Sequence, residues 1–199
     1  MPEFLQAIRQ LFKARRPARR SLAATPVPSP QQPPLMHLRW LIRHDMPRVL
    51  AIERAAFEFP WTAQEFVRHL RQRNMTAMVS ELDHRVAGYM LYELERKQIR
   101  LVNLAVDPTA QRRGFGTALV AHLLKKLSPG RRPRLVTAVR ETNLPAQQFF
   151  RACGLRAIGV WRSCYADVPG EDAYVFEWRA EWFPPAFAAE KNRISEIPF

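Results

Sequence analysis

Residues Val102-Asn103-Leu104-Ala105-Val106-Asp107-Pro108, followed shortly by Gln111-Arg112-Arg113-Gly114-Phe115-Gly116-Thr117, leave few folds open. A short apolar run rich in branched side chains predicts a buried strand. Asp107-Pro108 breaks it. Two glycines then open a helix whose apolar positions are Phe115, Leu119, Leu123 and Leu127, with Val120 and Leu124 beside them. The first N–H groups of a helix lack acceptors and lie at the positive end of its dipole, so they suit an anion. Gly114 and Gly116 would let a pyrophosphate approach the main chain. Arg112 and Arg113 add positive charge at the entrance. A helix start with a packing glycine is the plainer alternative.

The spacing separates this loop from other phosphate loops. A P-loop needs Gly-Lys-Ser/Thr, and a dinucleotide fingerprint needs three glycines in G-x-G-x-x-G order; this stretch has neither. Gln-x-x-Gly-x-Gly behind a strand and Val-Asp-Pro resembles the acetyl-CoA pyrophosphate loop of the GCN5-related N-acetyltransferase (GNAT) superfamily.

With 199 residues, 47% of them hydrophobic, the chain can build one cored domain with tails. Cys153 and Cys164 are too few for a disulfide framework and lack metal-ligand spacing, so no metal is expected. Reduced thiols in a cytoplasmic protein are the expectation. No apolar run approaches the ~20 residues that span a bilayer, and the N-terminus lacks the continuous apolar core of a signal peptide. Residues 1–35 carry Arg9, Lys13, Arg15, Arg16, Arg19 and Arg20 against Glu3 alone, so +8 of the net +13 belongs to the rest. Phe4, Leu5, Ile8, Leu11 and Phe12 form an apolar stripe at helical spacing, and a Pro-rich linker follows. This basic extension is compatible with a ribosome or RNA nearby, with an anionic membrane surface, with an organellar presequence, or with no role beyond solubility.

The domain is expected over residues 36–180, and 181–199 as a tail without pattern. Leu38 to Arg43 alternates as a first strand. Asp45 is placed to cap a helix through Val49, Leu50, Ile52 and Ala56, and Thr62-Ala63-Gln64-Glu65 is a capping box for a second. Strands follow at Thr76 to Glu81, Val86 to Glu95 and Ile99 to Val106. After the glycine loop its helix runs to Pro129-Gly130. Arg134 to Val139 is a fifth strand. Asn143 caps a helix ending at Gly154, and Leu155 to Tyr165 and Ala173 to Arg179 close the sheet. This order matches the GNAT fold: an α+β domain with a mixed, mostly antiparallel sheet of about seven strands, splayed fourth and fifth strands, and helices on both faces.

Phe59-Pro60-Trp61, the Asn103 to Pro108 strand end and Glu171-Asp172-Ala173 resemble the RimI-type ribosomal-protein-alanine N-acetyltransferases within that superfamily. The resemblance implies direct transfer of acetyl from acetyl-CoA to a primary amine, the α-amine of a protein or peptide N-terminus. It implies a cofactor site at Leu104, Ala105, Val106, Gln111, Arg112, Arg113, Gly114, Phe115, Gly116, Thr117, Asn143 and Phe150. The amide of Leu104 or Ala105 would face the thioester oxygen. The pattern's glutamate falls on Ala138 and its tyrosine on Phe150, neither of which can move a proton. Glu141 and Tyr165 are the candidate substitutes for the catalytic base and acid. Glu93 and Glu95 are candidates for an acceptor's cationic end. Two other readings stay open: an acetyl-CoA-binding module with little activity, and a small-molecule amine acetyltransferase.

Overall fold

The structure, a computed structural model, describes residues 36–165 and 167–182. The expectations for the basic extension and for the tail beyond Trp182 lie outside the described residues. Seven strands form one sheet in the order β1-β2-β3-β4-β5-β7-β6. They are β1 (Met36–Trp40), β2 (Met75–Leu82), β3 (Arg85–Leu94), β4 (Gln98–Val106), β5 (Arg134–Arg140), β6 (Arg156–Trp161) and β7 (Ala173–Arg179). All neighbours run antiparallel except β4 and β5, which are parallel. A parallel pair needs a crossover, and the glycine loop with helix α3 (Phe115–Lys125) supplies it.

Helices cover both faces. On one, α1 (Met46–Ala56) and α2 (Ala63–Leu70) bury Val49, Ile52 and Phe66 against Val79, Tyr89, Leu91 and Ala105. On the other, α3 and α4 (Leu144–Ala152) enclose the larger core of Met90, Tyr92, Leu101, Leu119, Leu123, Leu135, Phe150 and Phe176. Each fully buried Leu or Phe contributes about 1.5–3 kcal/mol. Thr62 and Glu65 form the expected reciprocal capping box, and the Asn143 side chain accepts the Ala146 N–H at 3.1 Å.

Several local expectations need correction. Asp45 does not cap α1. Its carboxylate takes the Arg39 guanidinium, through bonds of 2.6 and 2.8 Å, and the Ile42 N–H, because a buried charge is better matched by an arginine fork than by one amide. Helix α3 stops at Lys125 rather than at Pro129, and Ser128 instead bridges to Arg132. Strand β6 ends at Trp161, so Cys164 and Tyr165 lie in the loop beyond it. Glu93 and Glu95 both engage Arg100, where the β4–β5 ladder is closed, so they lie at the wrong end of the sheet to meet an acceptor.

Candidate active site

The site begins with a counting irregularity. Leu91 pairs with Asn103 and Tyr92 with Leu101, so Val102 is a surplus residue on β4. Such a bulge bends a strand and disturbs its ladder. Leu91 and Tyr92 are neighbours on opposite faces, and so their partners take opposite faces. Leu101 joins the α3/α4 core, while Asn103 and Ala105 face α1 and α2.

At this point β4 leaves β5. Their pairing runs from Gln98↔Arg134 to Leu101↔Thr137 and stops, although β4 continues to Val106 and β5 to Arg140. The Thr137 hydroxyl closes the ladder by donating to the Leu101 carbonyl at 3.1 Å. Beyond it the strands form a wedge. The Asp107 N–H turns to β3, donating to the Ala87 carbonyl at 2.8 Å. Main-chain direction alternates along a strand, so Leu104 and Val106 present theirs to the wedge. The Gln111 side-chain amide bonds the Val106 carbonyl there, at 3.3 Å.

The glycine loop sits at the mouth of this wedge. Gly114 has φ 90° and Arg112 φ 62°, both left-handed, which curls the chain just before α3. Glycine tolerates that conformation best. Gly116 serves packing: a Cβ there would lie 3.1 Å from Phe149 Cζ. Among the described residues, no main-chain acceptor takes the amides of Arg112 through Thr117. These donors, the dipole of an eleven-residue helix and the flanking arginines have the character of an anion cradle. Asp107 anchors it. Its carboxylate accepts from the Thr109 N–H at 2.8 Å and hydroxyl at 2.6 Å and pairs with Arg48, and these contacts hold it below the usual carboxylate range.

On β5, residues 134, 136, 138 and 140 share one face, opposite Leu135 and Val139 of the α3/α4 core. Ala138 and Arg140 therefore open to the α1/α2 side, past the end of the ladder. Arg140 pairs with Glu171 and Asp167, and its guanidinium lies 3.8 Å from the Tyr165 ring centroid and 4.8 Å from that of Phe59. Tyr165 is half-buried, and burial above all pushes its phenol up to about 12. Glu141 is exposed and accepts the Asp172 N–H at 3.2 Å. Phe150 is buried in the main core, its ring centroid 5.1 Å from Phe149 and 6.3 Å from Phe176. Cofactor-loop residues and Leu104 to Val106 are thus brought together. Tyr165 lies against Arg140, and Glu141 follows it in the chain and accepts the Asp172 N–H.

Residues 46–155 match the Acetyltransferase (GNAT) family. The chain belongs to that family. As a GNAT protein it is an acyltransferase of the N-acetyltransferase type. It is similar to the [ribosomal protein bS18]-alanine N-acetyltransferase of Salmonella typhimurium, at 30% identity over 132 residues, 66% of this chain and 88% of that one. The N-alpha-acetyltransferase of Sulfurisphaera tokodaii is 31% identical over 144 residues, 66% of this chain and 85% of its own. The crystal structure of the Escherichia coli ribosomal-protein-S18-alanine N-acetyltransferase superposes with a TM-score of 0.64 at 26% identity, covering 73% of this chain and 94% of that one.

Two residues of this GNAT site escape sequence reasoning. Glu53 of α1 is 1% exposed. Its carboxylate accepts from the Trp61 N–H at 2.9 Å, the Asn103 side-chain amide at 3.3 Å and the Tyr89 hydroxyl. Burial is the chief cause that raises it to about 7. It ties the Phe59-Pro60-Trp61 loop to β4 beside the bulge. The available signal was a carboxylate on the apolar stripe of α1, next to Ile52. Arg140 is the second, a basic residue at a strand end facing Glu171. Among the described residues no cluster of His, Cys, Asp or Glu could hold a metal, and no helix is long and apolar enough to cross a membrane.

Proposed function

We propose that this chain transfers the acetyl group of acetyl-CoA to the α-amine at a protein or peptide N-terminus. The observation that carries the reading is the wedge. One strand presents main-chain groups along it that no neighbouring strand pairs, and an anion cradle lies at its mouth. The amides of residues 112–117 suit the diphosphate, with Gln111 lining the entrance. The main chains of Leu104 and Val106 suit the amide-bearing arm of the substrate. The Leu104 N–H then stabilises negative charge on the thioester oxygen as it develops. The names of the relatives above favour a protein N-terminus over a small amine.

The acceptor enters from the α1/α2 side, where Ala138 leaves room. An α-amine has a pKa of about 7.7–8.0, so a useful fraction is already neutral near pH 7.5. It attacks the carbonyl, the C–S bond breaks as the nitrogen gives up one proton to water or a base, and the sulfur leaves as thiolate or takes a proton. Positioning alone supplies much of the barrier reduction. A phenol with a raised pKa keeps its proton, so Tyr165 is suited to acid rather than base work. Glu141, which follows Arg140 in the chain and accepts the Asp172 N–H, is the candidate base.

The test is turnover of acetyl-CoA with peptides beginning with Ala, Ser or Met, beside polyamines and aminoglycosides. Acetylated peptide N-termini support the reading. Preferential acetylation of a polyamine or aminoglycoside replaces it with small-amine chemistry. Tight acetyl-CoA binding with no acetylated acceptor replaces it with a binding module, the outcome that Ala138 and Phe150 would favour.

A further inference from the structure

Arg140 has more partners than a strand-end arginine needs for solubility. Its backbone belongs to β5 and pairs with Ala173. Its side chain bonds Glu171 and Asp167, both in the β6–β7 loop, and lies 3.8 Å from the centroid of Tyr165 in the same loop. On the other side the guanidinium lies 4.8 Å from the centroid of Phe59, between α1 and α2. One planar cation thus joins two loops that are more than a hundred residues apart in sequence. The supports are themselves fixed. Glu171 is 5% exposed and takes a 2.6 Å bond from the Thr142 hydroxyl. The Arg140 carbonyl accepts from the Gln147 side chain at 3.1 Å. The Phe59 loop is tied down two residues later, where the Trp61 N–H meets Glu53.

The position matters as much as the contacts. Arg140 lies two residues beyond Ala138, on the same face of β5 and past the last rung with β4. That is the side from which the proposed acceptor comes. The rings of Phe59 and Tyr165 both lie against the guanidinium there. Phe59 is 40% exposed, and the Arg140 cation lies over its ring.

We propose that Arg140 is a clasp that holds the Phe59 loop and the β6–β7 loop at a fixed separation, and so limits the width of the residue that can carry the reacting amine. It is a positioning and specificity residue and does not touch the reacting atoms. This inference rests on the N-terminal α-amine reading given above. Lysine cannot replace it: an ammonium is a compact point charge, whereas the guanidinium meets two carboxylates and two ring faces at once.

The experiment uses the full chain with Arg140→Lys, which keeps the charge opposite buried Glu171, and Phe59→Leu as a milder second variant. Amide exchange is read at Trp61, Ser163 and Cys164, and acceptor kinetics with peptides led by Ala and by Leu. In Arg140→Lys, exchange should rise in both loops together, about tenfold. KM for the Ala-led peptide should rise about tenfold with acetyl-CoA affinity unchanged, and the preference for Ala over Leu should fall toward unity. Phe59→Leu should lower the preference with little change in β6–β7 exchange. In Arg140→Lys, exchange that rises in one loop only, or in neither, overturns the clasp whatever the acceptor is. An equal loss of acetyl-CoA affinity makes Arg140 a general fold residue and also overturns it. If the unaltered protein acetylates no peptide N-terminus, the function reading fails and the specificity role fails with it, while the exchange arm still decides the link between the loops.

Discussion

Replacing Glu53 by glutamine should remove one source of pH dependence from the protein's stability. The carboxyl is raised from 4.5 to about 7 because it is buried away from water. Between those values the folded chain holds a proton that the unfolded chain has released. Stability therefore falls as pH rises through this window, by about 1.36 kcal/mol per pH unit. The full span is worth about 3 kcal/mol, and most of it lies between about pH 5 and about pH 8. Glutamine has nearly the shape of the protonated acid. Its oxygen can still accept the Trp61 N–H, and its NH2 group can reach the Tyr89 hydroxyl. Urea denaturation of both proteins across that range provides the measurement. The curves should lie close together near pH 5, and the Glu53→Gln protein should be the more stable by about 2–3 kcal/mol near pH 8. Parallel curves would refute the argument, as would a wild-type protein that gains stability with pH relative to the variant.

Gly114→Val should abolish acetyl-CoA binding in calorimetry while leaving a folded chain, because valine resists the φ of 90° that shapes the cradle; unchanged affinity would sink the cradle. The rate of transfer should rise with pH until the acceptor amine is neutral, near its own pKa of about 7.7–8.0, and should follow that pKa when the peptide is changed. Tyr165→Phe should slow transfer if the phenol protonates the leaving sulfur, by about 100-fold at the low end of acid–base effects; an unchanged rate removes Tyr165 from the chemistry. A chain shortened to begin at Met36 should keep its acetyl-CoA affinity but bind ribosomes or anionic vesicles less, with a smaller difference in high salt; loss of acetyl-CoA binding would place residues 1–35 in the site.

The strand, loop and helix from Val102 to Leu123 were legible because each part has a local cause: branched apolar residues, a Pro stop, a glycine at a left-handed position. The capping residues Thr62 and Asn143 were legible for the same reason. Misreadings fell where a side chain on a neighbouring element decides. Asp45 has the composition of a cap, but Arg39 draws it away from the helix. Glu93 and Glu95 alternate like an acceptor-binding face until Arg100 claims both. Locally Glu53 offers only its place on the apolar stripe of α1, and the burial that raises its pKa is set by the strands packed against that helix. Arg140 is likewise defined by Phe59, Tyr165 and Glu171, which chain order keeps apart.

The surplus residue on β4 has one more consequence. Along Ile99, Leu101, Asn103 and Ala105 every second residue is buried, as if the strand kept one side to the core throughout. In fact the parity changes at Val102, and the first two belong to one core and the last two to the other. The strand serves both layers of the molecule by arithmetic rather than by chemistry. A substitution at Val102 alters one side chain and leaves the count intact. Deleting that residue would send everything after it to the opposite side: Asn103 would part from Glu53, and Leu104 would face the layer it now avoids. The site is therefore more sensitive to the number of residues in β4 than to the identity of the one that makes the number odd.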